Sequence, residues 1–224
     1  MIKVVAVVGP TAVGKTALAI KLAQAFNGEI ISGDSMQVYR HLDIGTAKAT
    51  AAEQAQAPHH LIDIQDVDQQ FTVAQFVAAA QPLIQAIHER GHLPIVAGGT
   101  GFYLQALFDG LKLGADAPGD PQIREHLRQI AVEQGPQVLW QQLAAQDPVA
   151  ASKIPPTNIR RTVRALEVIQ VTGQLFSHQQ NAGSQYDEYY IGLNTARPLL
   201  YERINQRVDN MVQAGLLDEV RWLA

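Results

Sequence analysis

The chain has 224 residues, of which 47% are hydrophobic and 17% charged, and its formal net charge is −4. This composition is typical of a soluble globular protein. No apolar run is long enough to span a bilayer and the N-terminus lacks a signal-peptide pattern, so we expect a cytoplasmic protein without membrane contact. The absence of cysteine excludes disulfides, thiolate metal sites and a cysteine nucleophile. Because the net charge is negative, RNA binding would need a local basic patch.

The first predicted elements are a strand, a glycine-containing loop and a helix. Residues 2–8 are an apolar run rich in β-branched residues, which is typical of a strand buried on both faces of a parallel sheet. Good helix formers continue from Ala17. The loop between them has the spelling of a P-loop and consists of Gly9, Pro10, Thr11, Ala12, Val13, Gly14, Lys15 and Thr16.

The P-loop predicts a binding site for a phosphate or diphosphate. Its glycines let successive backbone N–H groups point into one hollow at the positive end of a helix. Lys15 adds a positive charge, and the hydroxyl of Thr16 can take a Mg²⁺ ion that bridges phosphate oxygens. The motif alone does not specify which phosphate compound binds or which bond breaks.

Two polar side chains follow two further predicted strands. Residues 28–32 predict a short strand that leads to Asp34, and residues 93–97 predict a buried strand that leads through a glycine turn to Thr100. Ligands of open α/β sheets bind beyond the carboxyl ends of the strands, so both side chains are expected near the P-loop. For Asp34 and for Thr100, a structural role within the turn is as good an interpretation as a role in the site.

An all-helical module is predicted in the second half of the chain. The segment 114–121 is linker-like, and from there to about residue 176 only helix signals occur. Helix starts are indicated at Asp120-Pro121, Pro136, Asp147-Pro148 and Asn158. We therefore predict a P-loop α/β core, a parallel sheet flanked by helices, at residues 1–115 and 187–224, with an inserted helical module at residues 116–186.

The remaining core elements are predicted as strands at 61–64 and 189–193 and as helices at 72–90 and 198–224. Pro82 should kink or divide the first of these helices, and the second should break near Gly215. Arg203 and Arg207 lie in the last helix, where a guanidinium could complement a bound diphosphate.

Basic residues cluster in the predicted module. The segment 151–166 contains no acidic residue and four basic ones, namely Lys153, Arg160, Arg161 and Arg164. Arg160 and Arg164 share a helical face because they are four residues apart, and Arg124 and Arg128 repeat this spacing. Such a face can bind RNA phosphates, although a solvated helix surface is the stronger interpretation of an isolated triplet.

Five segments together resemble the tRNA dimethylallyltransferase family, also called tRNA isopentenyltransferases. They are the P-loop at 9–16, DSMQVY at 34–39, DIGTAK at 43–48, GGT at 98–100 and RALE at 164–167. Many enzymes share the P-loop, but the second and third segments are more specific, and the order matches along nearly the whole chain. The resemblance implies transfer of a dimethylallyl group from dimethylallyl diphosphate to the N6 amine of an adenine adjacent to the anticodon in tRNA.

The resemblance also implies roles for individual residues. Asp34 would be the general base for the adenine amine, and Thr100 would help to place the reacting groups. Lys15, Thr16, Mg²⁺ and Arg207 would hold the diphosphate. The residues implied to approach the anticodon stem-loop are Asp34, Ser35, Met36, Gln37, Thr100, Arg124, Arg160, Arg161, Thr162, Val163 and Arg164. The helical module would clamp the anticodon arm, and a monomer is expected.

Chains of the family continue past residue 224 with further helices and another tRNA-contacting motif, so we expect an intact P-loop pocket and leave tRNA binding open. Two other functions fit the same motifs. A P-loop small-molecule kinase would transfer the terminal phosphoryl group of ATP, with Asp34 serving the acceptor hydroxyl. A nucleotide-gated RNA-binding module would use the P-loop without chemistry, and the predicted convergence of Asp34 and Thr100 argues against it.

Overall fold

The structure, a computed structural model, describes residues 1–111, 119–178 and 181–224. The chain divides into two compact units, one formed by Met1–Leu111 with Gly183–Ala224 and the other by Lys112–Ala182. The predicted boundaries, 115/116 and 186/187, lie slightly later in the chain. Residues 114–118 of the predicted linker lie outside the described part of the chain.

The first unit contains a parallel sheet of five strands. The strands are β1 (Ile2–Val8), β2 (Gly28–Ser32), β3 (His59–His60), β4 (Leu93–Ala97) and β5 (Tyr186–Gly192). Their order is β3-β2-β4-β1-β5, and every neighbouring pair is parallel. The carboxyl ends of all five strands therefore meet at one edge of the sheet, where the predicted site residues follow β1, β2 and β4.

Helices follow most of the strands in the first unit, and further helices form the second unit. They are, in chain order, α1 (Lys15–Phe26), α2 (Ala51–Gln54), α3 (Val73–Glu89), α4 (Gly101–Phe108), α5 (Pro121–Glu133), α6 (Pro136–Gln146), α7 (Pro148–Lys153), α8 (Ile159–Thr172), α9 (Arg197–Gln213) and α10 (Leu216–Leu223). Among the described helices, none combines the length and the apolar character needed to cross a membrane.

Both faces of the sheet are covered, as the apolar strands predict. Successive residues of a strand point to opposite faces, and this alternation separates two hydrophobic clusters. Ala6, Ile31 and Val96 belong to the cluster that contains residues of α3 and α4. Their neighbours Val7, Ile30 and Ile95 belong to the cluster that contains residues of α1. The parallel sheet flanked by helices confirms the predicted fold class.

Two details of the predicted core differ from the structure. The strand expected at 61–64 is instead the short β3 at His59–His60, because Leu61 and Asp63 have φ angles of 59° and 56°, which a strand cannot contain. Pro82 does not divide its helix, since α3 is continuous around it. The proline removes one backbone hydrogen bond, but the buried face of α3, formed by Phe76, Ala80, Ile84 and Ile87, packs into the core on both sides of it.

The second unit contains helices and no strand within its described residues. Its helices begin where predicted: Asp120 caps α5, Pro136 is the first residue of α6, Asp147 caps α7 and Asn158 caps α8. Their apolar faces form a separate core that includes Leu127, Leu139, Leu143, Ile154 and Leu166. In the first unit, the predicted break at Gly215 is present, with a φ angle of 103° between α9 and α10.

A buried carboxylate, Glu29, joins β2 to its neighbours at the edge of the sheet opposite the P-loop. Only 4% of Glu29 is exposed. Its carboxylate accepts two hydrogen bonds from Arg90, at 2.7 and 3.0 Å, and contacts His60 Nε2 at 2.6 Å and His92 Nδ1 at 2.7 Å. Burial raises the pKa of Glu29, but the hydrogen bonds from Arg90, His60 and His92 outweigh it and lower the pKa to about 2.

Glu29 should make the stability of the protein sensitive to acid. Because its pKa is lower in the folded state, its contribution is complete above the ordinary value of 4.5 and is lost as the pH falls through about 2. Glu29→Gln should lower the free energy of unfolding at pH 7 by about 2–3 kcal/mol and remove this part of the acid dependence. Chemical denaturation between pH 2 and 7 measures both effects. The exposed Glu202→Gln is the control, and an equal loss in both variants would contradict the assignment.

Candidate active site

The P-loop presents an uncapped helix start to the carboxyl edge of the sheet. Gly9, Ala12 and Gly14 have φ angles of 149°, 64° and 93°, which curl the loop between β1 and α1. A Cβ atom on Gly9 would overlap the carbonyl oxygen of Leu193, so the loop passes close to the end of β5. Gly14, which precedes α1, has no side chain that could cap the helix, and no other described residue is seen to cap it. The first backbone N–H groups of α1 are therefore available to an anion.

Lys15 lies across the mouth of this loop. Its Nζ donates hydrogen bonds to the carbonyl oxygens of Gly9, at 3.0 Å, and Pro10, at 2.8 Å. Burial lowers the pKa of Lys15, the charge of Asp34 raises it, and that of Arg207 lowers it further. The two charges that act on Lys15 come from separate parts of the chain, the turn after β2 and helix α9. A diphosphate could replace the two carbonyl oxygens as acceptor for the ammonium group.

Asp34 and Thr100 lie on two turns that meet beyond the sheet. A Cβ atom on Gly98 would overlap the backbone of Gly33, so the turns that leave β4 and β2 are in direct backbone contact. The backbone N–H of Gly33 donates to Ala97 at 2.8 Å, and that of Thr100 donates to Gly33 at 3.3 Å. The predicted convergence of these two turns is thus present. It requires glycine at position 98, where a side chain would overlap Gly33.

Hydrogen bonds fix the segment around Asp34. Thr100 Oγ1 accepts a hydrogen bond from the backbone N–H of Ser35 at 3.0 Å and contacts the Ser35 hydroxyl at 3.3 Å. Asp34 Oδ1 accepts from the backbone N–H of Met36 at 2.9 Å. Within the described part of the chain, no hydrogen bond occupies Asp34 Oδ2. One carboxylate oxygen therefore orients the side chain, and the other is available to a substrate proton.

A pocket of about 380 Å³ adjoins the P-loop. It is lined by Val8, Gly9, Gly98, Gly99, Gly101, Leu104, Gln105, Asp109 and Tyr190. The sequence predictions missed the contributions of α4 and β5 to this lining. Leu104, Gln105 and Asp109 follow Thr100 at helical spacing, a signal that could have shown that one side of α4 faces the site. Tyr190 gave no such signal, because its position depends on the register between β5 and β1.

The arginines predicted to contact RNA have two different environments in the second unit. Arg124 and Arg164 bind the fully buried carboxylate of Glu167, at 2.9 and 2.8 Å. Arg124 thereby joins α5 to α8, whereas Arg164 pairs with Glu167 within α8. The sequence predictions assigned neither role. RNA binding by Arg124 and Arg164 stays a prediction.

The residues at the start of α8 also differ in exposure. Arg160 and Arg161 are exposed. Thr162 and Val163 are 1% and 3% exposed, and the Thr162 hydroxyl donates to the carbonyl oxygen of Asn158 at 3.1 Å. Burial argues against side-chain contacts of Thr162 and Val163 with RNA, so Arg160 and Arg161 are the better candidates on this helix.

Comparison with known proteins identifies the family. A family model described as IPP transferase matches residues 37–224. A tRNA dimethylallyltransferase of Limosilactobacillus fermentum is 60% identical over 225 residues, which cover 100% of this chain and 73% of that protein. The chain belongs to the tRNA dimethylallyltransferase family. This confirms the family and the transferase class that the five sequence segments predict.

Solved structures of the family share the fold. The full-length tRNA isopentenylpyrophosphate transferase of Bacillus halodurans is 50% identical, has a TM-score of 0.69, and covers 100% of this chain with 70% of its own length. A eukaryotic dimethylallyltransferase, described as acting on tRNA, is 34% identical with a TM-score of 0.87 and covers 100% of this chain with 56% of its own length.

The contact between Gly33 and Gly98 should not tolerate a methyl group. Gly98→Ala would place a Cβ atom inside the backbone of Gly33 and force the two turns apart. We expect the free energy of unfolding to fall by about 1–3 kcal/mol, the usual cost of overpacking a well-filled site. Denaturant titration measures this loss.

Gly101→Ala is the matched control, because a Cβ atom there meets nothing within 4 Å. Its stability should equal or slightly exceed that of the wild type, since alanine favours a helix. A Gly98→Ala variant as stable as Gly101→Ala would contradict the close contact.

Proposed function

We propose that this site transfers a dimethylallyl group from dimethylallyl diphosphate to the N6 amine of an adenine adjacent to the anticodon in tRNA. The observation that carries the proposal is the convergence of the P-loop, with Lys15, and the turns that carry Asp34 and Thr100 at one edge of the sheet. Two cationic groups and one carboxylate are what this reaction needs, since a diphosphate must leave and an amine must lose a proton.

The cationic side of the site serves the leaving group. In the proposed reaction, the C–O bond of the allylic diphosphate breaks, and both electrons of that bond leave with the diphosphate. The uncapped start of α1, the ammonium of Lys15 and the guanidinium of Arg207 would stabilise this charge. No nucleoside triphosphate is needed for this use of a P-loop.

The carboxylate side of the site serves the nucleophile. As the N6 nitrogen forms its bond to the allylic carbon, it becomes positively charged and must release a proton. Asp34 Oδ2 is proposed to accept that proton, while Oδ1 keeps its hydrogen bond to Met36. Thr100 would support the step indirectly, because it holds the backbone of Ser35 next to the base.

We propose that Mg²⁺ binds together with the diphosphate. Mg²⁺ usually binds through substrate phosphates, one or two protein oxygens and several waters. The half-buried Thr16 fits this use, because its hydroxyl has no hydrogen-bond partner among the described residues and it is the second residue of α1. Mg²⁺ would neutralise part of the diphosphate charge. The described residues contain no group of three acidic or histidine side chains that could hold a metal without substrate.

Contact with the anticodon stem-loop is proposed for the helical unit, through Arg160 and Arg161. Both are exposed at the start of α8, and the segment 151–166 contains no acidic residue. We propose a cytoplasmic location, because tRNA is the proposed substrate, and a monomer.

Replacing the proposed base should slow the chemical step selectively. Asp34→Asn keeps the shape of the side chain and its hydrogen bond to Met36 but cannot accept a proton usefully near neutral pH. We expect a loss of roughly 10²–10⁴ in the rate of prenyl transfer, the usual range for a positioned general base. Single-turnover transfer of label from dimethylallyl diphosphate to tRNA measures it.

The matched control is Asp68→Asn, which alters an exposed carboxylate that has no assigned role in the site. Transfer at the wild-type rate by Asp34→Asn would remove Asp34 from the mechanism. Absence of any transfer by the wild type, under conditions where both substrates bind, would overturn the proposed function.

The exposed arginines of α8 should contribute to the salt dependence of tRNA binding. Changing Arg160 and Arg161 together to Gln should weaken binding and lower the slope of log affinity against log salt by about 0.7–0.9 for each lost phosphate contact. Filter binding at several salt concentrations measures the slope. Arg221→Gln, which alters an exposed arginine of the first unit that pairs with Asp218, is the control. An unchanged affinity and slope in the double variant would show that this part of α8 is only a solvated surface.

A further inference from the structure

We propose that Glu219 of α10 is a positioning residue for the base Asp34. Its carboxylate accepts hydrogen bonds from three consecutive backbone N–H groups, those of Asp43, Ile44 and Gly45. The distances are 2.8 and 2.8 Å to Oε2 and 2.9 Å to Oε1. Three convergent backbone donors form a strong anion site, so this single side chain fixes the start of the 43–48 loop.

The packing around Glu219 shows that the loop and the helix fit each other closely. A Cβ atom on Gly45 would lie 3.1 Å from Glu219 Oε1 and 3.2 Å from Leu216 Cδ1, so only glycine allows this approach without a shift. On the same helix, the ring of Trp222 meets the ring of His41 edge to face at a centroid distance of 5.2 Å. The loop is thus held against α10 by charge-assisted hydrogen bonds and by side-chain packing.

The far end of the same loop is joined to the segment that carries Asp34. Gln37 Nε2 donates to the carbonyl oxygens of Thr46, at 3.4 Å, and Ala47, at 3.2 Å. Gln37 Oε1 accepts from the Ser32 hydroxyl at 3.0 Å. Gln37 therefore links the loop to the end of β2. Asp34 lies in the chain between Ser32 and Gln37, the two residues that this hydrogen bond joins.

The position of Glu219 also relates the base to the leaving group. Helix α10 follows α9 after Gly215, and α9 carries Arg207, the proposed diphosphate ligand. One pair of helices would then contribute a cation to the diphosphate and hold the loop that fixes the base. This inference rests on the proposed roles of Asp34 and Arg207 and extends them to a residue that touches neither substrate.

The test compares Glu219→Gln with Asp218→Asn. The control changes the adjacent carboxylate of α10, which is exposed and pairs only with Arg221 among the described residues. We expect Glu219→Gln to speed hydrogen exchange of the amides of residues 43–45, because their acceptor loses its charge and one oxygen. We expect kcat for prenyl transfer to fall about 10- to 100-fold, as a misplaced base implies, while the affinity for dimethylallyl diphosphate changes less than about twofold.

A double-mutant cycle with Gln37→Ala separates positioning from a general loss of structure. If Glu219 acts through Gln37, the double variant should be no slower than the slower single variant, whereas independent effects would multiply. Gly45→Ala, which pushes on the same contact, provides a second variant and should lower kcat in the same direction. Unchanged amide exchange at 43–45, or effects on kcat that multiply, would overturn the proposal. A wild type without prenyl transfer would contradict the proposed function instead, because amide exchange tests the loop contact without turnover.

Discussion

A backbone contact between two glycines organises the site. Gly33 follows β2 and Gly98 follows β4, and a Cβ atom on Gly98 would overlap the backbone of Gly33. Because these strands are parallel neighbours, their carboxyl ends lie side by side, and the contact brings the turns that carry Asp34 and Thr100 together. The P-loop follows β1, the other neighbour of β4, and so reaches the same place. Without this contact, the turn that carries Asp34 would not be held against the turn that carries Thr100.

Charges of both signs act at this edge of the sheet. The opposite effects of Asp34 and Arg207 on the pKa of Lys15 show both signs of charge near one ammonium group. A carboxylate close to a phosphate site would repel a polyphosphate, unless the cations lie on the diphosphate side. The arrangement suits a reaction in which negative charge leaves in one direction and a proton in another. The anchored 43–48 loop and Thr100 restrict the motion of the carboxylate, which favours a base that is oriented before substrate binds.

The sequence predicts those parts of the site that depend on local patterns. The P-loop, the buried strands and the break at Gly215 are each specified by neighbouring residues, and the structure contains them. The extent of β3 was wrong because the φ angles of Leu61 and Asp63 follow from tertiary contacts that no local pattern records. The hydrogen bonds between Glu219 and the 43–48 loop join residues more than 170 positions apart. In the sequence, Glu219 cannot be distinguished from a solvated glutamate of an amphipathic helix.

The arginine cluster shows a second limit of sequence reasoning. A run of arginines without acidic neighbours indicates an exposed basic face, but Arg164 and Arg124 both bind Glu167 inside the helical unit. The separation of three residues between Arg164 and Glu167 is a local signal of an ion pair. The contribution of Arg124 is not local, because it depends on how α5 packs against α8. Charge patterns therefore identify candidate RNA contacts, and burial decides which guanidinium groups also hold the fold.

The central claim is that this P-loop holds an allylic diphosphate as a leaving group. Calorimetric titration of the wild type and of Lys15→Ala with dimethylallyl diphosphate and Mg²⁺, and separately with ATP, tests it most directly. We expect the wild type to bind dimethylallyl diphosphate and Lys15→Ala to bind it about 10- to 150-fold more weakly, the effect of losing a hydrogen bond to a charged group. ATP should yield no phosphorylated product. Tight binding of ATP with phosphoryl transfer, together with no binding of dimethylallyl diphosphate, would contradict the claim and favour a kinase.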